Sequence, residues 1–188
     1  GGRQRRASEA AGSKLGKCWR MFASACWEVV MGFDRALEDK IEKAFSNRAR
    51  PLIVCDSDPL YPDVDDAFHF EGASWQQISD EEWNTYSDAL FHFTDEAWAY
   101  YIQSILILKI RSQQTTNNAC HIFISFFDIS LNPDEWTDDV NKKLKILDCA
   151  ELEVIREWFL YLSEEEFVWD NHRERAVAAL DYTISKNC

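Results

Sequence analysis

The chain has 188 residues and a formal net charge of −13 at pH 7, with 46% apolar and 28% charged residues. This length supports one domain with a real core, and no apolar run reaches the roughly 18 residues that a membrane span requires. Glycine and proline number only 6 and 4, which disfavours all-β and Rossmann-type folds because their turns need glycine.

Residues 1–30 differ in charge from the rest of the chain. They hold six basic and two acidic residues, a net charge of +4, whereas residues 31–188 carry −17. Residues 1–16 are rich in Gly, Ser and Ala without periodicity, which is typical of disorder. We interpret 1–30 as a basic leader, disordered or non-native, with a transit peptide as the alternative. Residues 31–188 are predicted to form a single acidic helical domain.

The first predicted element of this domain is an amphipathic helix over Phe33–Phe45. Its apolar residues recur at helical spacing on one face: Ala36, Leu37, Ile41, Ala44 and Phe45. The helix is expected to end before Arg50, because a residue that precedes proline disfavours helical backbone. Leu52–Cys55 is compatible with a short strand, and an irregular acidic loop is expected over Asp56–Glu71.

Two capping patterns indicate the next helices. Ser79 and Glu82 have the spacing of a capping box, in which each side chain accepts from the backbone N–H of the other residue. Apolar and aromatic residues continue this helix as far as Leu90. Thr94 is the expected N-cap of a further helix, with acidic residues at its positive end. That helix is apolar on most sides, so we expect it at the centre of the core, with these side chains buried: Trp98, Tyr101, Ile105 and Leu108.

The second half of the chain predicts more helices. Cys120–Ile129 is apolar and β-branched, and its pattern does not distinguish a strand from a buried helical turn. Asn132 followed by proline indicates a helix start. Asp148 and Glu151 form a second box-like cap, and a last helix spans about His172–Ser185. The predicted fold class is mainly α, a single compact bundle of five to six helices with at most one or two short strands.

The six cysteines lie at positions 18, 26, 55, 120, 149 and 188. They contain no C-x-x-C pair, which excludes zinc ribbons and thioredoxin-type redox sites. Their spacing does not suggest a disulfide framework. We therefore expect buried free thiols and a reducing, cytoplasmic location.

One aromatic segment resembles a known family. Phe93–Ile102 reads F-T-D-E-A-W-A-Y-Y-I, which is similar to the central segment F-L-T-P-E-A-F-R-Y-Y-L-P of an uncharacterised bacterial family of small helical domains. Apolar positions on two other predicted helices match that family in order: Leu37, Ile41, Ala44, Phe45, Leu152, Ile155, Phe159 and Leu162. The resemblance covers roughly residues 36–185 and implies a small, bacterial, cytoplasmic, helical protein. The family has no established activity, so no site residues are carried over.

The region from Pro51 to Leu108 contains twelve carboxylates and no lysine or arginine. Such a surface repels nucleic acid and anionic lipid and attracts a basic protein. We therefore expect a non-enzymatic protein that acts by protein–protein interaction and captures a basic partner, as an immunity protein captures a toxin. The residues assigned to this interaction surface are Asp56, Asp58, Asp63, Asp65, Asp66 and Glu71.

The alternative is a metal-dependent hydrolase or phosphotransferase. An apolar run ends in Asp56 and Asp58, an arrangement that resembles haloacid-dehalogenase-like phosphotransferases, in which the first Asp is the nucleophile and the second a general acid. Here Pro59 follows directly, and the alternating βαβ pattern of a Rossmann-like sheet is missing, so a solvated acidic loop is preferred. A calcium loop of the EF-hand type fails, because its sixth and twelfth positions are Tyr61 and Ala67.

The remaining expectations concern cofactors and partners. None of the four histidines, at positions 69, 92, 121 and 172, has the spacing of a metal site. We expect no catalytic residue, no metal and no cofactor, and no nucleic-acid or membrane partner. The oligomeric state is left open.

Overall fold

The computed structural model describes residues 34–55, 64–112, 117–162 and 171–188. Internal contacts divide the chain into two units, Gly1–Ala36 and Leu37–Cys188. Only residues 34–36 of the first unit are described, so the architecture given below is that of the second unit. The predicted leader, residues 1–30, lies outside the described residues.

Helices make up 72% of the described residues, which confirms a mainly α fold. The first helix, α1, spans residues 34–44. The other α-helices follow in chain order: α2 (Asp65–His69), α3 (Asp80–Thr85), α4 (Ala89–His92), α5 (Asp95–Arg111), α6 (Asn118–Phe126), α7 (Asp138–Ile146), α8 (Cys149–Tyr161) and α9 (His172–Asn187). Two short 3₁₀ helices lie at Trp75–Gln77 and Pro133–Glu135.

The described part of the chain contains nine helices, so the predicted count of five to six is wrong. Short helices account for the difference. The helix predicted from Ser79 to Leu90 is divided, because Tyr86 leaves the helical region with φ −116° and ψ 36°. A helical turn, α2, also forms within the region predicted to be an irregular loop.

The predicted capping interactions are confirmed. The Ser79 hydroxyl accepts from the backbone N–H of Glu82 at 3.2 Å, and the Glu82 carboxylate accepts from the backbone N–H of Ser79 at 2.8 Å. Asp148 and Glu151 form the same reciprocal pair at the start of α8. The Thr94 hydroxyl accepts from the backbone N–H three residues further on at 3.1 Å. These caps fix where α3, α5 and α8 begin.

The helix α5 lies in the centre of the core, as its composition predicts. It contacts α6, α7 and the Trp75–Gln77 turn, and the Trp158 indole N–H from α8 donates to the Leu106 carbonyl at 3.1 Å. Leu108 is only partly buried. The other side chains chosen as core residues are buried: Trp98, Tyr101 and Ile105.

Two segments with strand-like sequences do not form strands. Residues 118–126 form α6, because the Asn117 side chain accepts from the backbone N–H of Cys120 at 2.7 Å and so caps a helix. Leu52–Cys55, whose sequence is compatible with a short strand, does not form one either. That segment makes a single antiparallel bridge, between Cys55 and Phe93, and no strand is present in the described ranges.

The four cysteines in the described ranges divide into two groups. Cys55 and Cys120 are free and buried, as expected. Cys149 and Cys188 form a disulfide, with their Cα atoms 5.7 Å apart, so the expectation of free thiols is wrong for this pair. The disulfide joins the start of α8 to the end of α9, and these two helices make the most extensive helix–helix contact in the described structure.

Candidate functional site

The predicted interaction surface is described for three of its six residues. Asp65 and Asp66 lie in the first turn of α2, and Glu71 lies two residues after the end of that helix. Asp65 and Glu71 are exposed, and Asp66 is half-buried. The other three predicted residues lie outside the described ranges: Asp56, Asp58 and Asp63. The two aspartates of the hydrolase alternative are among them.

The helix α2 is held in place by aromatic contacts. The His69 ring stacks on Tyr86 with 3.8 Å between ring centroids, and the buried Phe70 ring stacks on Trp83 at 4.6 Å. The Tyr101 hydroxyl of α5 lies 2.6 Å from the Phe70 carbonyl and donates to it. These contacts place the carboxylates of α2 beside α3 and at the edge of the core.

The carboxylate of Glu82 is fixed in its ionised form. The backbone N–H and the hydroxyl of Ser79 donate to it, which holds the pKa of Glu82 below its ordinary value. His69 Nε2 lies 3.2 Å from the same carboxylate, and it favours the same ionised form when it donates. Glu82 therefore adds a negative charge between α2 and α3 across the neutral pH range.

Further carboxylates on neighbouring helices are exposed. We use "acidic surface" for the exposed carboxylates on and around α2–α4 and at the start of α5: Asp65, Glu71, Glu81, Asp88 and Glu96. Glu96 lies near Arg48, whose pKa is raised mainly by its hydrogen bonds to Glu151 and to a smaller extent by the charge of Glu96. The side chains of the other four make no hydrogen bond or ion pair with any described residue. The negative charge of these four is therefore directed to solvent.

Three large apolar side chains are exposed beside this region. Leu52, Ile53 and Phe91 are 94%, 62% and 68% exposed. The segments that carry them are joined where the backbone N–H of Thr94 donates to the Val54 carbonyl at 2.9 Å. The Thr94 hydroxyl also donates to the Ile53 carbonyl at 3.1 Å. These hydrogen bonds bring the segments that carry the three side chains together, and a clustered, exposed apolar patch marks an interaction site.

Sequence reasoning missed these exposed apolar residues. Leu52 and Ile53 belong to an apolar run that was interpreted as a short strand, whose side chains would alternate between core and solvent. In the structure Val54 is buried whereas both residues before it are exposed. The neighbouring Pro51 is the one signal in the sequence, because proline is confined to strand edges and irregular backbone.

A cleft of about 240 Å³ is lined by Phe91 and by two lysines of α7, Lys142 and Lys143. Lys143 of α7 is only 4% exposed, and its ammonium lies 2.6 Å from Asp139 and 3.9 Å from Asp95. Lys143 is therefore neutralised by carboxylates, and it does not cancel the charge of the acidic surface. The exposed Lys142 lies at the rim of the same cleft.

No group of three or more His, Cys, Asp or Glu side chains in the described ranges is arranged to hold a metal ion. None of the helices described has the length and apolar character that crossing a membrane requires.

Comparisons with protein-family models, with curated proteins and with solved structures found no match to this chain. The fold and the exposed side chains by themselves define a helical protein with an acidic surface that adjoins exposed apolar residues. The resemblance of Phe93–Ile102 to an uncharacterised bacterial family stays a prediction.

Proposed function

We propose that this protein is a non-enzymatic interaction module that captures a basic protein partner through its acidic surface and the adjoining Leu52, Ile53 and Phe91. The observation that carries the proposal is the juxtaposition of exposed, unpaired carboxylates with exposed apolar side chains. Neither feature contributes to the core of the protein. Together they match the centre and rim of a protein–protein interface.

The charge pattern favours a protein partner over a nucleic acid. Nucleic-acid binding depends on lysine and arginine that neutralise phosphates, and the region from Pro51 to Leu108 has neither. A basic protein would meet complementary charge at the rim and apolar contact at the centre. Bacterial origin, a cytoplasmic location and capture in the manner of an immunity protein belong to the same proposal.

The two parts of the surface have different kinetic roles. Long-range attraction between opposite charges raises the rate of association and weakens as salt screens it. Burial of Leu52, Ile53 and Phe91 in the complex would mainly slow dissociation, because apolar contacts act at short range. Exposed carboxylates and exposed apolar groups should therefore affect separate rate constants.

The experiment begins with affinity capture from a native lysate at low and at high salt, followed by measurement of association rates with the captured basic protein. The double reversal Glu71→Lys with Asp88→Lys should lower the association rate about tenfold or more at low salt. The matched control reverses two exposed carboxylates of α1 and α8, Asp39→Lys with Glu153→Lys, and makes the same change in net charge.

The association rate at low salt is expected to fall strongly for Glu71→Lys with Asp88→Lys and only slightly for the control. Phe91→Ala should instead raise the dissociation rate with little change in association. Equal effects of the two double reversals, or an association rate that is independent of salt, would contradict the proposal. Recovery of nucleic acid by the unmodified protein would contradict it as well.

A further inference from the structure

A groove runs along one face of α5, on the side of α1 and the Trp75–Gln77 turn. It consists of two adjoining cavities of about 320 and 140 Å³, which share Glu42, Trp75 and Gln76 as lining residues. The larger cavity has the size of a small-ligand site, whose volumes begin at roughly 300 Å³.

The floor of the larger cavity combines apolar surface with one polar group. Tyr100 and Phe45 are buried there. Gln103 is 1% exposed, and its side-chain amide donates one hydrogen bond, to the Tyr100 carbonyl at 2.7 Å. One amide N–H and the amide oxygen have no partner among the described residues, so Gln103 retains hydrogen-bonding capacity at the cavity wall.

Two arginines line the same cavity, and only one of them is neutralised. Arg48 donates two hydrogen bonds to the buried Glu151 carboxylate, each 2.5 Å long. Arg50 donates to the Gly72 carbonyl at 2.8 Å and has no carboxylate within ion-pair distance in the described ranges. Gly72 has φ +71°, a conformation that favours glycine, and this turn directs its carbonyl toward Arg50.

We propose that this groove binds a small aromatic carboxylate, with the carboxylate on Arg50 and Gln103 and the ring against Trp75. The proposal does not rest on the interaction function, because the groove uses different residues. A guanidinium binds a carboxylate through paired hydrogen bonds, and the half-buried indole of Trp75 offers a flat apolar wall.

The charge of the cavity selects a monoanion. No carboxylate lies within ion-pair distance of Arg50 in the described ranges, whereas Arg48 is already paired with Glu151. Glu42 lines both cavities and lies 3.8 Å from Arg111, which offsets part of its charge. It would still repel a phosphate dianion more strongly than a carboxylate. A single negative charge on a flat ring therefore fits the groove best.

The test uses three probes on the full chain: benzoate, acetate, which lacks the ring, and benzyl alcohol, which lacks the charge. Binding is followed by the NMR signals of the ¹⁵N-labelled tryptophan indoles, with the Trp75 signal assigned from Trp75→Phe. Benzoate is expected to shift the Trp75 signal with a Kd of about 1 mM, a value in keeping with its small size. Acetate and benzyl alcohol should bind at least about tenfold more weakly.

Variants distinguish the proposed site from non-specific binding. Arg50→Gln should weaken benzoate binding about tenfold, the effect of one charge-assisted hydrogen bond, whereas Lys142→Gln, which removes an exposed cation elsewhere, should leave it unchanged. Glu42→Gln should tighten binding, a gain that a damaged fold would not produce. The proposal would be overturned if benzoate did not shift the Trp75 signal. It would also be overturned if Arg50→Gln bound benzoate as tightly as the unmodified protein, or if Glu42→Gln bound it no more tightly.

Discussion

At the scale of single residues, the buried polar groups show how the fold depends on specific partners. Tyr101 is buried in α5, and its hydroxyl bonds to the Phe70 carbonyl at 2.6 Å, with the Ala73 carbonyl 3.1 Å away. Burial raises the pKa of Tyr101 from 10.0 to about 12, because the phenolate would lose its hydration. This tyrosine therefore links the turn after α2 to the core only while it is protonated.

The first prediction concerns alkaline pH. Because the pKa is higher in the folded state, the contribution of Tyr101 to stability is complete below pH 10.0 and is lost as pH rises through about 12. Tyr101→Phe should lower the free energy of unfolding by about 0.5–1.5 kcal/mol at pH 7, because it removes one hydrogen bond from the Phe70 carbonyl, which keeps the backbone N–H of Ala73 as a donor at 3.0 Å. The difference in the free energy of unfolding between Tyr101→Phe and the unmodified protein should become smaller as pH approaches about 12.

Urea unfolding followed by circular dichroism at pH 7, 10 and 11.5 measures this effect. Tyr182→Phe is the control, because Tyr182 is exposed and its loss should change stability little at any of these pH values. A constant difference between Tyr101→Phe and the unmodified protein across the series would contradict the assigned role.

At the scale of elements, sequence reasoning succeeded where the determining contacts are local. Ser79, Thr94 and Asp148 each cap the helix that follows, and a cap depends on residues only three positions apart. The α5 helix was predicted for the same reason, since its apolar residues are contiguous. Asn117 shows the limit: its side chain caps α6, but the apolar pattern of the following residues did not distinguish a helix from a strand.

Contacts between distant parts of the chain could not be predicted. Arg48 and Glu151 are 103 residues apart, and nothing in the sequence selects this pair from the other acidic and basic residues. The exposure of Leu52 and Ile53 also depends on a distant residue, because hydrogen bonds from Thr94 to the carbonyls of Ile53 and Val54 hold this segment in place. Packing of whole helices decides such contacts, so they were found only in the structure.

The second prediction tests the central position of α5. Ile105 is completely buried, so Ile105→Ala should lower the free energy of unfolding by about 2–5 kcal/mol through the cavity that it leaves. Leu131→Ala provides the control, because Leu131 is 69% exposed and its truncation should cost less than about 0.5 kcal/mol. Similar values for the two variants in urea unfolding would show that the register of α5 is wrong.

The third prediction concerns the contact between α8 and α9. The disulfide between Cys149 and Cys188 closes a loop with a sequence separation of 39 residues. Restricting the unfolded chain in this way should contribute about 3–4 kcal/mol of stability. Reduction by dithiothreitol should therefore lower the urea midpoint of the unmodified protein.

The matched variant is Cys188→Ser, which should have the stability of the reduced protein and should not respond to dithiothreitol. Peptide mapping of the oxidised protein should recover the two cysteines as one linked fragment. Equal urea midpoints with and without the reductant would contradict the stabilising role. Because a protein of a reducing compartment would carry both thiols free, recovery of the linked fragment from native cells would count against the proposed cytoplasmic location.

At the scale of the whole molecule, the negative charge is a cost to the fold. A net charge of −13 destabilises a compact chain through self-repulsion. Ion pairs between elements, such as Lys40–Glu157 and Arg156–Asp181, lie at exposed or half-exposed positions, where each contributes little. Asp65, Glu71, Glu81 and Asp88 have no such partners in the described structure. A surface that lowers stability without serving the core is expected where it has a role in binding.

The fourth prediction follows from that cost. The double reversal Glu71→Lys with Asp88→Lys changes the net charge from −13 to −9, and it should raise the free energy of unfolding at low salt by roughly 0.5–1 kcal/mol, because repulsion among neighbouring carboxylates is relieved. The gain should shrink at 1 M NaCl, where the Debye length is about 3 Å. Urea is the appropriate denaturant, since guanidinium would itself screen the charges.

The same variant is expected to associate more slowly with a basic partner, so gained stability together with lost binding would identify the acidic surface as a binding surface. A variant that is less stable than the unmodified protein at low salt would show instead that these carboxylates have stabilising partners within the fold.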